Sequence, residues 1–580
     1  MPLFALLAAI APIAQDPATT TAPPSLVHAP PSGCLAYLEL RSPAESIREF
    51  TTHPVLAPLL GELAKGALAD SPELRRVVEF FEEDVDDPFL DVLGRLSDAG
   101  MSAWVTLAQP PAVTFALDSS DAAAGDTATR RLLSALAEAT GHPGALDAPT
   151  EVVEGNPLWS IGDELTVARV GATTLVSNSR TSIDLVVSPK RLVRGKRALA
   201  KLLEAHSRRS RGEDAFVWVD YGALTTFVGM AGEAAGPAAR IAELAEVPRR
   251  PRLQSLLGPG ISQVVEASSV VLKVDLDAKG ALSVELDGDD LAGERALWAH
   301  TSPDFAATAR TNDCAHALLY RDFGTMLAER ESLFEPKSLA AIATTVSQLE
   351  LFLGGLTLAD DVLPHVSPWI EMVSREVPFA RSPRPDLRLP AAAFVFHLEP
   401  GSNIGERLDA AFQGIVSTTN IQRAQNGQPS YRLELGREGD FTWTAAMLPS
   451  PLEGDPVDAS YNLVPACAVI GDTWVVATHQ ELLLDLRDEL TTPRSVASPA
   501  TGSAVETLAI HGPRLATFAR EQMDALVLAN SLNEGKTREQ SRKDMEGLAW
   551  ILERSDVLLS VAYGPDHVVL RAEVDFPGRN

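Results

Sequence analysis

Alternation of apolar and polar residues opens the readable part of the chain. Cys34, Ala36, Leu38 and Leu40 share one face of a two-residue period, which predicts a strand. Ser42-Pro43-Ala44-Glu45 follows, a capping box with proline at the first helical position, so a helix should begin there. The same order returns at Cys314–Arg321, where Asp322 takes the cap position. After Pro513, Leu515, Phe518, Met523 and Leu526 fall at near-helical spacing and predict one core-facing stripe. Hairpins are equally legible. Val270–Asp275 and Leu282–Leu286 flank Asp277-Ala-Lys-Gly280, and Val557–Ala562 and Val568–Val574 flank Tyr563-Gly-Pro-Asp566. Leu165–Val170 with Thr174–Ser177, and Cys467–Ile470 with Trp474–Ala477, form two more. Strands joined by tight turns are antiparallel. The expected class is therefore α+β, an antiparallel or mixed sheet with helices on one face. A doubly wound parallel sheet is the alternative that the hairpins disfavour.

These elements recur in order. Cys34–Arg41 resembles Cys314–Arg321, Asp91-Val-Leu93 returns as Asp361-Val-Leu363, and Thr114–Asp118 matches Val395–Glu399. Gly171–Ser177 matches Gly471–Ala477, Phe216–Leu224 matches Thr507–Leu515, and Val270–Leu286 matches Leu558–Val574. Six anchors in unbroken register predict an internal duplication, two homologous copies of one α+β unit. The expected organisation is a signal peptide at 1–14, a Pro/Thr-rich disordered tether at 15–31, a first copy at 32–290, a connector at 291–311 and a second copy at 312–577. The signal rests on the apolar run Leu3–Ala11, followed by small residues and then Gln15-Asp16. It predicts a periplasmic or secreted product.

The strand-then-helix openings at Cys34–Arg41 and Cys314–Arg321, the Asp-Val-Leu segments and the Gly471–Thr478 hairpin resemble a family of large exported bacterial proteins known only as a domain of unknown function. The resemblance covers nearly the whole chain after residue 32 and implies architecture and export. It carries no catalytic residues.

Composition narrows the partners. The 580 residues hold 49 Lys and Arg against 78 Asp and Glu, a formal charge of −29, which excludes nucleic acid as a general partner. No run of about 18 apolar residues occurs, so no transmembrane span is expected. Three cysteines exclude a disulfide scaffold. The acidic background has one strong exception. Residues 190–211 hold nine basic residues against the single acid Glu204. Lys190, Arg191, Arg194, Lys196, Arg197 and Lys201 lead that run, and Ala198, Leu199, Leu202 and Leu203 lend it a helical apolar stripe. Such a helix either docks on the protein's own acidic surface or meets an anion, a lipid headgroup or a peripheral membrane surface.

Catalytic chemistry leaves little trace. The chain has no GxSxG, P-loop, GxGxxG, HExxH, CxxC or EF-hand pattern, and no cofactor, metal or catalytic residue is assigned. Cys34, Cys314 and Cys467 read as small core groups, with a Cys34–Cys314 bridge as the lesser alternative. His316, His397 and His511 lie in or beside strands opposite Ala36, Ala116 and Asp220 of the first copy, and read as core or rim histidines. The acidic clusters Glu82–Asp87 and Asp287–Asp290 read as solvated turns. The expected function is a non-catalytic binding or scaffold module of the cell envelope, acting on an envelope partner or ligand. A lipid or hydrophobic-ligand handling protein and a hydrolase without recognised motifs are the alternatives. An apolar cavity would favour the former and a nucleophile within reach of a base the latter.

Overall fold

The computed structural model describes residues 34–40, 43, 89–106, 112–142, 148–162, 165–187, 202, 215–220, 269–276, 282–289, 312–334, 336–451, 457–491, 505–563 and 567–575. The signal, the tether, the Glu82–Asp87 cluster, the connector and the basic run apart from Leu202 lie outside them.

Residues 34–289 supply ten strands: β1 (Cys34–Leu40), β2 (Gly100–Thr106), β3 (Ala112–Asp118), β4 (Glu151–Val153), β5 (Asn156–Ile161), β6 (Leu165–Val170), β7 (Thr173–Ser177), β8 (Ala215–Asp220), β9 (Ser269–Leu276) and β10 (Leu282–Asp289). Among the described residues three helices accompany them, α1 (Phe89–Ser97), α2 (Ala122–Ala139) and α3 (Arg180–Val187). Residues 315–575 supply ten more: β11 (Ala315–Tyr320), β12 (Val366–Arg375), β13 (Ala391–Leu398), β14 (Arg432–Glu438), β15 (Phe441–Met447), β16 (Ala466–Ile470), β17 (Thr473–Ala477), β18 (Val505–His511), β19 (Asp556–Tyr563) and β20 (His567–Asp575). Their helices are α4 (Phe323–Ala328), α5 (Arg330–Leu333), α6 (Pro336–Phe352), α7 (Ile404–Gln425), α8 (Gln480–Thr491), α9 (Gly512–Glu521), α10 (Met523–Glu534) and α11 (Arg538–Leu552).

Every pairing between named strands is antiparallel. In space the first set runs β4-β5-β6-β7-β3-β2-β1-β8-β9-β10. The second runs β14-β15-β16-β17-β13-β12-β11-β18-β19-β20, the same order. The two rows join where β10 pairs antiparallel with β20, from Leu282↔Val574 to Asp289↔His567. Asp287 and Asp289 therefore lie in a strand paired on both sides, not in the expected turn.

The helices cover both faces of the sheet, which corrects the expectation of one. In β6 and β7, Val167 and Val176 pack beneath α2, while the adjacent Ala168 and Leu175 pack with Ile183 and Val187 of α3. In β16 and β17, Cys467 and Val476 meet Phe412 and Val416 of α7, while Ala468 and Val475 meet Leu482 and Leu486 of α8. Successive side chains point to opposite faces, so these neighbours mark two buried surfaces. Strands β2 and β3 are accordingly buried at every position.

Local predictions hold where a single residue decides them. Asp322 Oδ1 accepts the Thr325 N–H at 2.9 Å and opens α4. Gly171 and Gly471 turn the β6–β7 and β16–β17 hairpins at φ of 60° and 57°, values that favour glycine. The stripe after Pro513 divides, because the chain breaks at Gln522 between α9 and α10.

Candidate functional site

A cleft of about 390 Å³ lies between α4, α6 and the turn that follows α6. Its formation is local. Asp322 starts α4, and Pro336 occupies the first position of α6, where no intrahelical N–H bond is needed. Gly354 and Gly355, at φ of 73° and 88°, end α6 and reverse the chain. The return is then pinned: Glu350 Oε1 accepts the Leu358 N–H at 3.0 Å, and Asp361 Oδ2 accepts from Thr357 N and Oγ1 at 2.7 and 2.8 Å. Those two Thr357 bonds hold the Asp361 carboxyl below the ordinary aspartate value. Leu358 and Leu363 are thereby placed opposite Ile342, Val346 and Leu349 of α6, with Phe323 and Met326 of α4 completing the walls. Thr345 is the sole polar side chain among the described lining residues. Those residues offer dispersion contacts and dehydration but no charge. No sequence motif marks the cleft as a site. The available signal was α6, where residues 338–349 carry no charged residue over three turns.

The described histidines are brought together in part. His316 Nε2 lies 3.4 Å from Glu371 Oε2, and His397 Nε2 lies 3.1 Å from Glu371 Oε1. One buried carboxyl group thus sits between two imidazoles on three adjacent strands. His511 stands apart, its Nδ1 3.6 Å from Asp556. Among the described residues no group of three His, Cys, Asp or Glu is arranged to hold a metal ion. Matching the two rows of strands by their pairing gives a different alignment from the sequence anchors. A register shift between Cys34 and Ala36 moves β1 by one residue, so His316 opposite Val373 corresponds to Tyr37 opposite Trp104. His397 opposite Thr473 corresponds to Asp118 opposite Thr173. Both positions are polar in each row of strands.

One contact meets the geometric requirement for a nucleophile and base. Ser382 Oγ and His479 Nε2 are 2.9 Å apart. His479 opens α8, and its Nδ1 accepts the Glu481 N–H at 3.3 Å. That acceptance puts the imidazole proton on Nε2, so His479 donates to Ser382 instead of taking its proton. Burial also holds His479 below its ordinary value, and the ring is neutral. Phe379, held at φ of 54°, closes the site by packing edge-on against the ring at 5.0 Å. This serine is anchored, not activated.

The cysteines are buried and free, so Cys34 and Cys314 are unbridged. Burial pushes Cys34 up to about 12 and raises Cys314. Burial raises Cys467 further, beside the Asp409 carboxylate that accepts its S–H at 2.7 Å. None is poised as a thiolate. Lys190, Arg191, Arg194, Lys196, Arg197 and Lys201 lie outside the described residues. Leu202 of their stripe is 1% exposed and packs with Trp104, Trp218 and Ile183, so this leucine belongs to the protein's own core. No described helix is long and apolar enough to cross a membrane.

No protein-family model, curated protein or solved structure matches the chain.

Proposed function

We propose that the protein is a non-catalytic binding protein of the cell envelope that holds an apolar ligand in the cleft between α4 and α6. The single observation that carries this reading is the cleft itself. Its volume of about 390 Å³ falls within the roughly 300–1,000 Å³ of small-molecule sites, and its walls are apolar except for Thr345. This joins the binding-module reading to that of hydrophobic-ligand handling. A hydrolase would need Ser382 activated, and the proton on His479 Nε2 argues against that.

Two further parts belong to the proposal. The chain is two homologous copies of one α+β unit, a reading supported by the repeated strand order and by the matching register of His316 with Tyr37. The protein is exported through its first 14 residues and works in the periplasm or outside the cell, as the apolar run and tether suggest, in keeping with the resemblance to exported proteins of unknown function. The burial of Leu202 favours docking of the basic run on the protein's own acidic surface over contact with lipid.

Titration with N-phenyl-1-naphthylamine, a neutral apolar fluorophore, tests the ligand reading. Ala341 lines the cleft and is otherwise exposed, so Ala341→Trp fills the space without disturbing a packed core. Fluorescence should rise with the native protein and fail to rise with the variant, at unchanged far-ultraviolet circular dichroism. Equal fluorescence from both proteins would refute the site.

A further inference from the structure

The row of strands ends on β14, and this edge is built differently from the other end. Strand β4 is three residues long, a short edge of the kind that discourages pairing. Strand β14 runs for seven, Arg432 to Glu438, with no proline and no register break against β15. Among the described residues β15 is its only strand partner. Gly436 leaves room for the Trp443 indole that packs over it, since a Cβ there would lie 2.0 Å from that ring. Leu435 is 79% exposed, and Leu433 on the same face is also exposed.

We propose that the outer edge of β14 is an interface between two copies of this chain, joined by antiparallel pairing about Leu435. The order Arg432-Leu-Glu-Leu-Gly-Arg-Glu438 is complementary to its own reverse. With Leu435 opposite the partner's Leu435, each Arg432 stands opposite the partner's Glu438, and Leu433 lies opposite the aliphatic stem of the partner's Arg437. Opposite charges facing each other across a ladder are favourable, and two such pairs form at once. Within one chain, Arg432 pairs with Glu434, while Glu438 accepts from Arg381 and Arg487. The partner's Arg432 adds one more donor to a carboxylate with room for it. The chain already uses this mode of joining, for β10 and β20 close their rows by antiparallel pairing over eight residues. Pairing β14 to itself is isologous and closes as a dimer, whereas pairing it to β4 would run on as an open fibre. This proposal stands apart from the ligand cleft.

Directly opposed strand residues lie within disulfide reach, so Leu435→Cys reads the register. The native thiols are buried and do not compete. Under mild oxidation, Leu435→Cys should convert to a covalent dimer, and Leu433→Cys, four positions out of register with its own copy, should remain monomeric. Sedimentation of the full chain at about 100 µM, enough to fill a micromolar interface, should show twice the monomer mass, falling to the monomer in Leu435→Lys at unchanged circular dichroism. A monomeric native protein, a ladder of larger species, a dimer that survives Leu435→Lys, or equal crosslinking at 433 and 435 would each overturn the proposal.

Discussion

Replacing Arg375 with alanine removes the centre of a buried ion cluster and should be among the most damaging single changes in the second half of the chain. Its Nε donates to Asp313 Oδ1 at 2.6 Å, and its Nη1 and Nη2 donate to Glu489 Oε1 and Oε2 at 2.8 Å each. Arg375 is 4% exposed and Asp313 is wholly buried, while Glu489 keeps access to water. The cation thereby ties the segment leading into β11 to the end of β12 and to the last turn of α8. Removing it leaves the Asp313 carboxylate without its counter-charge in a site water cannot reach. Breaking a buried pair in this way costs about 3–5 kcal/mol. For a unit of this size that lowers the melting temperature by about 6–20 °C. Arg375→Met combined with Asp313→Asn leaves no buried charge and should recover most of the loss, because the penalty comes from the orphaned carboxylate and not from the missing bonds. The first half supplies a control. Thr106, at the place corresponding to Arg375, makes only neutral contacts near 3.4 Å with Ala112 O and Ser182 Oγ, so Thr106→Ala should cost about 1 kcal/mol. Urea unfolding followed by circular dichroism measures all of these. A loss below about 1 kcal/mol for Arg375→Ala, or a double variant as unstable as the single, would refute the reasoning.

Three other outcomes follow from the buried polar groups. His479 is held neutral by burial, so the unfolded chain takes up its proton first as the pH falls. Its contribution to stability is full above about 6.5 and is lost as the pH falls through the depressed folded value; His479→Asn should flatten that part of the urea midpoint against pH, and an unchanged slope would contradict it. Ser382→Ala should lower stability by about 1–3 kcal/mol, through a buried Nε2–H left without its acceptor, and leave probe binding unaltered. Iodoacetamide should modify none of the three cysteines in the native protein at neutral pH and all three in urea, and rapid labelling of a native thiol would contradict the burial that raises them.

What could be read from sequence depended on how local the deciding physics is. The hairpin turns at Gly171 and Gly471 and the cap at Asp322 each rest on one residue and its neighbours, and each lies where the pattern put it. Placing helices on one face failed because β2 and β3 bury both of their surfaces, and a strand buried on both sides does not announce which face is wet. In the matched strand rows His316 falls beside Tyr37 instead of Ala36, because the irregularity in β1 leaves no mark in composition. The His316–Glu371–His397 cluster and the Ser382–His479 pair join segments far apart in sequence, so only pairing register and loop packing reveal them. The cleft was closer to legible. Its lining comes from residues 323–363, and the uncharged run of α6 was a signal that the interior of one helix would not be covered by polar groups.

The claim on which the functional account rests is that the α4–α6 cleft binds an apolar ligand. An aromatic probe buries about 200 Å² of apolar surface, worth about 5 kcal/mol before the costs of association, so the dissociation constant should be on the order of 100 µM or weaker for a simple probe. Titration of N-phenyl-1-naphthylamine into the native protein and into Ala341→Trp measures it directly. Saturable binding by the native protein that is lost in the variant is the predicted result. Binding that is absent from the native protein, or that Ala341→Trp leaves untouched, contradicts the account.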